Sequence, residues 1–184
     1  AEVRISENLV ITQAKNFVNF INEVRAHIPA DHIITAGHYY SEQQFSVSTG
    51  KQMIAYQQAC QLFNRRLQKK PLAIIKCTST EEVKIAYKAA IDYNLPISVR
   101  SGGNDHEGES TETNTIVLDL LKMDSLTLDP ITGIAAIGPG NRFINLTTAL
   151  AKKGVMIPHG TSGNVALAGF IMGGGSGPWT RKYG

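Results

Sequence analysis

The sequence offers little from which to build a covalent or metal framework. Its two cysteines, Cys60 and Cys77, are too few for a disulfide scaffold, and no metal-ligand spacing surrounds them. A strong charge of one sign is also missing. The formal net charge is only +3, so charge-driven binding to nucleic acid is not expected. The one basic cluster, Arg65 to Lys70, reads as a solvated helix end. No apolar run approaches the ~18 residues that a membrane-spanning helix needs, so no membrane partner is expected. Internal repeats and low-complexity tracts are lacking too. With 42% hydrophobic and 18% charged residues, the chain has the balance of an ordinary globular protein, not of a disordered one. Its 184 residues admit one domain or two small ones.

What is present changes character along the chain. Residues 12–27 carry Phe17, Phe20, Ile21 and Val24 at helical spacing, with Thr12 as N-cap and Pro29 as stop. Residues 30–51 read as irregular, punctuated by Gly37 and Gly50. A second helix is expected over 51–68, with Met53, Tyr56, Cys60 and Phe63 on one face and Pro71 closing it. "LAIIKC" then reads as a buried strand. The next helix is capped by Thr78, Ser79 or Thr80, has Glu81 and Glu82 in its first turn, and buries Val83, Ala86, Tyr87 and Ala90. "LPISVR" is a second strand. This βαβ unit predicts two parallel neighbouring strands joined by a right-handed crossover. "NTIVLDL" is a third strand, and "SLTLDP" with "GIAAIGPG" reads as a hairpin turning at Pro130–Gly133. A helix over 141–154 is expected, with Asn141 as cap and Gly154 as stop.

Two glycine-rich stretches carry the functional signal. "RSGGNDHEG", Arg100 to Gly108, leaves the C-terminal end of the second strand, where open α/β sheets collect ligands. Glycines there allow close approach of a ligand, and successive backbone N–H groups make an anion-binding concavity. A diphosphate suits that chemistry; a tight surface turn is the plainer reading. It is not a dinucleotide fingerprint, since G-x-G-x-x-G and a following helix are both missing. The second stretch, Pro158 to Gly177, interleaves seven glycines with Val165, Leu167, Phe170 and Met172. Backbone lying against a large planar ligand would explain that mixture, and so would a buried glycine-dense turn.

Taken in order, "KPLAIIKCTSTEEVKIAYKAAIDYNLPISVRSGGNDHEG", "GPGNRFINLTTALAKKG" and "GTSGNVALAGFIMGGGSGPWTRKYG" resemble the N-terminal FAD-binding portion of the vanillyl-alcohol-oxidase-type (PCMH-type) flavoproteins. Within these the chain looks most like the berberine-bridge-enzyme-like oxidases. Tyr56 to Asn64 fits the family's helix ahead of the first strand, and Arg181 to Gly184 fits the end of its last motif. The resemblance covers roughly residues 52–184. It implies an α+β fold in which residues 1–51 form an N-terminal helical extension and 52–184 the FAD-binding domain. A first subdomain would span about 71–124, and a second would begin at about 125. It also implies cofactor contacts. Ser101, Gly102, Gly103, Asn104 and Asp105 would wrap the FAD diphosphate. Gly160, Thr161, Ser162, Gly163, Val165, Gly169 and Gly173 to Gly175, Gly174 included, would line the ribityl chain and ring system.

The departures from the family pattern are informative. Many relatives bind FAD covalently through a histidine where this chain has Asn104, and some use a cysteine where it has Ser162. An amide is too poor a nucleophile for that bond, so FAD is expected to be bound non-covalently. His106, two residues on, could replace the histidine only if the loop shifted. His159 either hydrogen-bonds the flavin or is structural. Asp105 and Glu107 read as capping or solvent-facing, because their carboxylates would repel a diphosphate, and Trp179 is expected to pack. Family enzymes draw their catalytic bases from later sequence, so no catalytic residue is assigned. The chain ends at "SGPWTRKYG" directly after the glycine run, which suggests a fragment or one piece of a split protein. The function implied is the FAD-binding portion of an oxidoreductase that takes a hydride from an alcohol, sugar or amine carbon of a small-molecule substrate. The alternative is a non-catalytic module that needs a second polypeptide. FAD subunits of multi-component hydroxylases are related, but "RSGGNDHEG" looks less like their loop. The start at Ala1, and the exported character of many proteins of this type, lean toward a secreted or periplasmic location.

Overall fold

A computed structural model describes residues 2–36, 40–41, 44–45 and 50–183. The chain opens on helix α1, Glu2–Arg25. This is longer than the sequence pattern suggests, and Thr12 lies inside it instead of capping it. Nothing in residues 1–11 stops a helix from extending that way, since glycine and proline are both missing there. A 3-10 turn at Ala30–His32 leads into strand β1, Ile33–Thr35, inside a segment expected to be irregular. Three residues are too few for a period to show. A two-residue strand pair follows, β2 (Tyr40–Ser41) with β3 (Gln44–Phe45), and Gly50 begins helix α2, Gly50–Ala59. Gly37 lies outside the described residues.

Helix α2 stops far short of residue 68. The Cys60 N–H still donates to Tyr56 O, but the Phe63 N–H donates to Gly103 O at 3.1 Å. Phe63 is accordingly 61% exposed, not on a buried helical face, while Tyr56 is buried and donates its hydroxyl to Pro71 O at 2.8 Å. The Arg65–Lys70 cluster is therefore not a helix end. Arg65, Arg66 and Lys70 are exposed, and Lys69 pairs with Glu112 at 2.7 Å.

The rest of the first half is strand β4 (Ala73–Lys76), helix α3 (Thr80–Asp92), strand β5 (Ile97–Arg100), a 3-10 turn at Glu109–Thr111 and strand β6 (Ile116–Asp119). Ser79 proves to be the cap of α3: its Oγ accepts from Glu82 N at 3.2 Å. The Glu82 carboxylate in turn accepts from Thr78 N at 2.6 Å. The inner face of α3 is Val83, Ala86, Ala89 and Ala90, whereas Tyr87 points outward and is 52% exposed.

The sheet order is β1-β4-β6-β5, with β1 antiparallel and the others parallel. Strands β4 and β5 are thus not neighbours, as the βαβ reading expected; β6 lies between them. The reason is burial. All four residues of β6 are buried, as a central strand covered on both faces requires. Strand β5 alternates, with Val99 56% exposed, and belongs at an edge. One apolar core joins α1, through Phe20, Ile21 and Val24, to α3 and the sheet. Residues up to Met123 pack on that core.

From Leu126 a second, smaller core begins. Strands β7 (Leu126–Leu128) and β8 (Ala135–Ile137) form the expected hairpin. Helix α4, Phe143–Ala151, buries Phe143, Leu146 and Leu150 against Leu167. Helices α5 (Leu167–Gly173) and α6 (Thr180–Tyr183) complete the described chain. Asn141 does not cap α4. Its Nδ2 donates to Ser125 O at 3.0 Å and Gly138 O at 3.1 Å, tying the hairpin to the start of the helix.

Candidate functional site

Inserting β6 beside β5 has a direct consequence for the site. Arg100 and Asp119 become register partners at the C-terminal ends of two parallel strands. Their side chains form an ion pair, Nη2 to Oδ2 at 2.6 Å, with only 7% and 9% of those side chains exposed. Arg100 Nη1 also donates to Ala59 O at 2.7 Å and to Thr111 Oγ1 at 3.1 Å.

The first glycine loop starts at the next residue. Ser101 Oγ donates to Pro139 O at 2.7 Å. Gly102 lies against the second half: a Cβ there would sit 3.0 Å from the Ala166 Cβ and N. Gly103 has φ +67°, in the left-handed region that favours glycine, and accepts the Phe63 N–H. The segment 60–69 runs behind the loop as a strap. Asn64 Nδ2 donates to His106 O at 2.9 Å, the Phe63 and His106 rings meet edge-on at 5.4 Å, and Leu62 and Leu67 close on Gly108. Asp105 is turned back to Ser110, whose hydroxyl donates to its Oδ2, and Glu107 is exposed. Neither carboxylate acts as half of an acid–base pair.

The second stretch is stapled to the start of α4. Phe143 N donates to Val165 O (3.0 Å), Ile144 N to Gly163 O (2.9 Å) and Leu167 N to Asn141 O (2.8 Å). Its glycines divide into two groups. Gly160 and Gly175 make room for the Phe170 ring, which a Cβ would approach to 2.8 and 2.1 Å. Gly177 makes room for His159 O. Gly163 lies against Ile144, whose Cβ a Gly163 Cβ would approach to 3.0 Å. Those four pack inside the protein. Gly169, Gly173 and Gly174 are different, because a Cβ on any of them meets nothing within 4 Å. Gly174, with φ +66°, closes α5. Thr161 and Ser162 are exposed. His159 directs Nδ1 to Gly160 O at 2.8 Å and packs near Phe143, with ring centroids 6.0 Å apart. Trp179, expected to pack, keeps 40% of its surface exposed in the turn before α6. Gly184 lies outside the described residues.

The structure therefore brings the two stretches together at Ser101–Gly102, Pro139 and Ala166. The backbone N–H groups of Gly102 to Asp105 and of Gly160 to Gly163 donate to no protein acceptor among the described residues. Two rows of free donors suit an acceptor-rich anion such as a diphosphate. Asn104 Oδ1 and Asp105 Oδ1 are buried acceptors with no hydrogen-bond partner, which suits hydroxyl or amino donors of the same ligand. Together with the open face at Gly169, Gly173 and Gly174, these donor and acceptor sets fit FAD. A cavity of about 1020 Å³ lies elsewhere, at Phe17, Tyr56, Leu67 and Pro96, and none of these glycines lines it. Among the described residues no cluster of three His, Cys, Asp or Glu could hold a metal.

Sequence reasoning singled out the glycines but not Arg100, Asp119 or the strap. The signal for the pair was present: "ISVR" and "IVLD" end two apolar strands on opposite charges.

Comparison with known proteins agrees with this geometry. The FAD binding domain family matches residues 71–184. FAD-linked oxidoreductase penO of Penicillium crustosum is 35% identical over 123 residues, covering 66% of this chain and 27% of that protein. (R)-6-hydroxynicotine oxidase of Paenarthrobacter nicotinovorans is 38% identical over 120 residues, 65% of this chain and 26% of that protein. Among solved structures, the wild-type BBE-like 1 protein of Physcomitrella patens superposes with a TM-score of 0.71 at 25% identity, over 83% of this chain and 30% of its own. The chain spans about a quarter of the length of the curated relatives it matches.

Proposed function

The chain belongs to the FAD binding domain family, with the PCMH-type α+β fold of berberine-bridge-enzyme-like oxidoreductases, and on that premise we propose that it holds FAD non-covalently as part of an FAD-linked oxidoreductase. The observation that carries this reading is the set of unbonded backbone N–H groups at Gly102 to Asp105 and at Gly160 to Gly163, on two stretches that touch at Gly102 and Ala166. Gly102, Gly103, Asn104 and Asp105 present their amides to the diphosphate, beside Ser101. Gly160, Thr161, Ser162, Gly163, Val165, Gly169 and Gly174 follow the ribityl chain and rings. When bound, FAD supplies the acceptor for a hydride taken from an alcohol, sugar or amine carbon of a small-molecule substrate. The residues of this chain bind, orient and exclude water.

The non-covalent part rests on nucleophile chemistry. Asn104 offers an amide and Ser162 a hydroxyl where an imidazole or thiolate would be needed. Neither cysteine substitutes. Burial pushes the Cys77 thiol up to about 12, with the Glu82 and Asp119 charges adding to it. Burial also raises Cys60, and the thiol, not the thiolate, is a weak nucleophile. The test is to load the chain with FAD, precipitate it with acid, and record the visible absorbance of pellet and supernatant. Flavin in the supernatant is the expected result. Flavin retained in the pellet defeats the non-covalent assignment, and a chain that takes up no FAD defeats the whole reading.

A second reading is favoured by one feature. Ile171, Met172, Trp179 and Tyr183 are 63%, 87%, 40% and 57% exposed around the second stretch. Such a patch suits a chain that works only when further polypeptide covers it. FAD uptake without turnover of alcohols, sugars or amines, by the chain alone, would support that reading.

A further inference from the structure

We propose that Arg100 is the positioning residue of the cofactor loop, setting the direction of the Gly102–Asp105 amides before FAD arrives. The proposal rests on the reading that this loop holds the FAD diphosphate.

Arg100 is 6% exposed, and its guanidinium collects acceptors from three separate pieces of chain. Asp119 Oδ2, at 2.6 Å, belongs to the end of β6. Thr111 Oγ1, at 3.1 Å, belongs to the 3-10 turn that closes the loop on its far side. Ala59 O, at 2.7 Å, is the last carbonyl of α2, where the strap begins. The bond to Thr111 joins the two feet of the loop directly. The bond to Ala59 anchors the strap whose next residues hold Gly103 O and His106 O.

The same residue shapes the loop from below. Its Cδ lies 3.4 Å from where a Cβ on Gly103 would sit. Its own carbonyl accepts from Leu120 N at 2.7 Å, and Asp119 Oδ1 accepts from Leu121 N at 3.0 Å, so the exits of β5 and β6 are held by one pair. Guanidinium suits this task because its donors form a fixed planar fork, whereas an ammonium is a single rotatable point.

The test uses the full chain with and without FAD, reading the dissociation constant by flavin fluorescence and loop order by amide hydrogen exchange over residues 101–108. Arg100→Lys keeps the charge and loses the fork. It is expected to weaken FAD binding by about 10- to 100-fold, the loss of one or two hydrogen bonds to a charged group. It is also expected to speed exchange in the FAD-free loop, with the sheet still protected. Wild-type affinity and loop protection in Arg100→Lys would overturn the proposal. The double variant Arg100→Met with Asp119→Leu removes both buried charges and so guards against a misfolded single variant. It is expected to recover melting temperature without recovering affinity. If affinity returns together with stability, the pair is only structural and the proposal fails. A wild-type chain that binds no FAD overturns the proposal together with the reading it rests on.

Discussion

The two glycine stretches look alike in sequence and differ in how they are held. The first, residues 101–108, is short and lies between a strap and a buried arginine, with Pro139 and Ala166 of the second half against its start. The second, residues 158–177, is longer and rests on a core of only four buried side chains, with many of its own residues exposed. In the first, the protein fixes the backbone and leaves its donors free. In the second, four of the seven glycines serve the protein's own packing, and the other three face open space. Glycine content alone does not separate a ligand surface from a turn; the neighbour of the absent Cβ does.

The largest expected effect bears on the first region. Arg100→Met leaves Asp119 buried without its partner, a change that costs about 3–5 kcal/mol. Chemical denaturation followed by circular dichroism should show that loss, with the transition of the large core shifted. A shift below 1 kcal/mol, by the same scale, would mean that water reaches the pair and that the first region is no more rigid than the second.

In the second region, Gly177→Ala drives a Cβ to 1.8 Å from His159 O, and Gly175→Ala drives one to 2.1 Å from the Phe170 ring. Overpacking of this kind costs about 1–3 kcal/mol. Gly177→Ala should be the worse of the two, since a backbone carbonyl cannot swing aside as a ring can. Hydrogen exchange should place the damage around α4 and α5 and leave β4 and β6 protected. Equal loosening of both halves would show that the two cores fold as one unit.

The link between the regions is smaller. Ser101→Ala removes the hydroxyl bond to Pro139 O, worth about 1 kcal/mol. Its effect on FAD affinity should exceed its effect on melting, because the bond sets the spacing of two donor rows more than it holds either core together. A loss of stability with unchanged affinity would break that comparison.

How far these differences could be read from sequence depends on the range of the interaction. The α3 cap, to within Thr78, Ser79 or Thr80, the β7–β8 hairpin and both glycine stretches are local signals and were legible. The order β4-β6-β5 was not, because adjacency in sequence argued for β4 beside β5, and only the full burial of Ile116, Val117 and Leu118 reverses it. Helix α2 was overextended for a related reason. Its apolar spacing continues to Phe63, but the carbonyl of Gly103, forty residues away, takes the Phe63 N–H. Long-range hydrogen bonds of that kind leave no period behind. The division of glycines at 160–177 was also hidden, since nothing in the sequence marks Phe170 as the ring on which Gly160 and Gly175 pack.

Gly169 is where the smallest effect decides most. It lies inside α5, exposed, and a Cβ there would meet nothing within 4 Å. By helix propensity alone, Gly169→Ala should stabilise the FAD-free chain by about 0.5–1 kcal/mol. The opposite is expected once FAD is loaded, if the ligand uses the space that the missing Cβ leaves open. Melting the wild type and the variant, each with and without saturating FAD, separates the two. A gain in the FAD-free chain that shrinks or reverses in the loaded one places the ligand on that face of α5. An equal gain in both states would mean that the open face of Gly169 belongs to solvent or to further polypeptide. The second stretch would then contribute to the cofactor only through Gly160 to Val165.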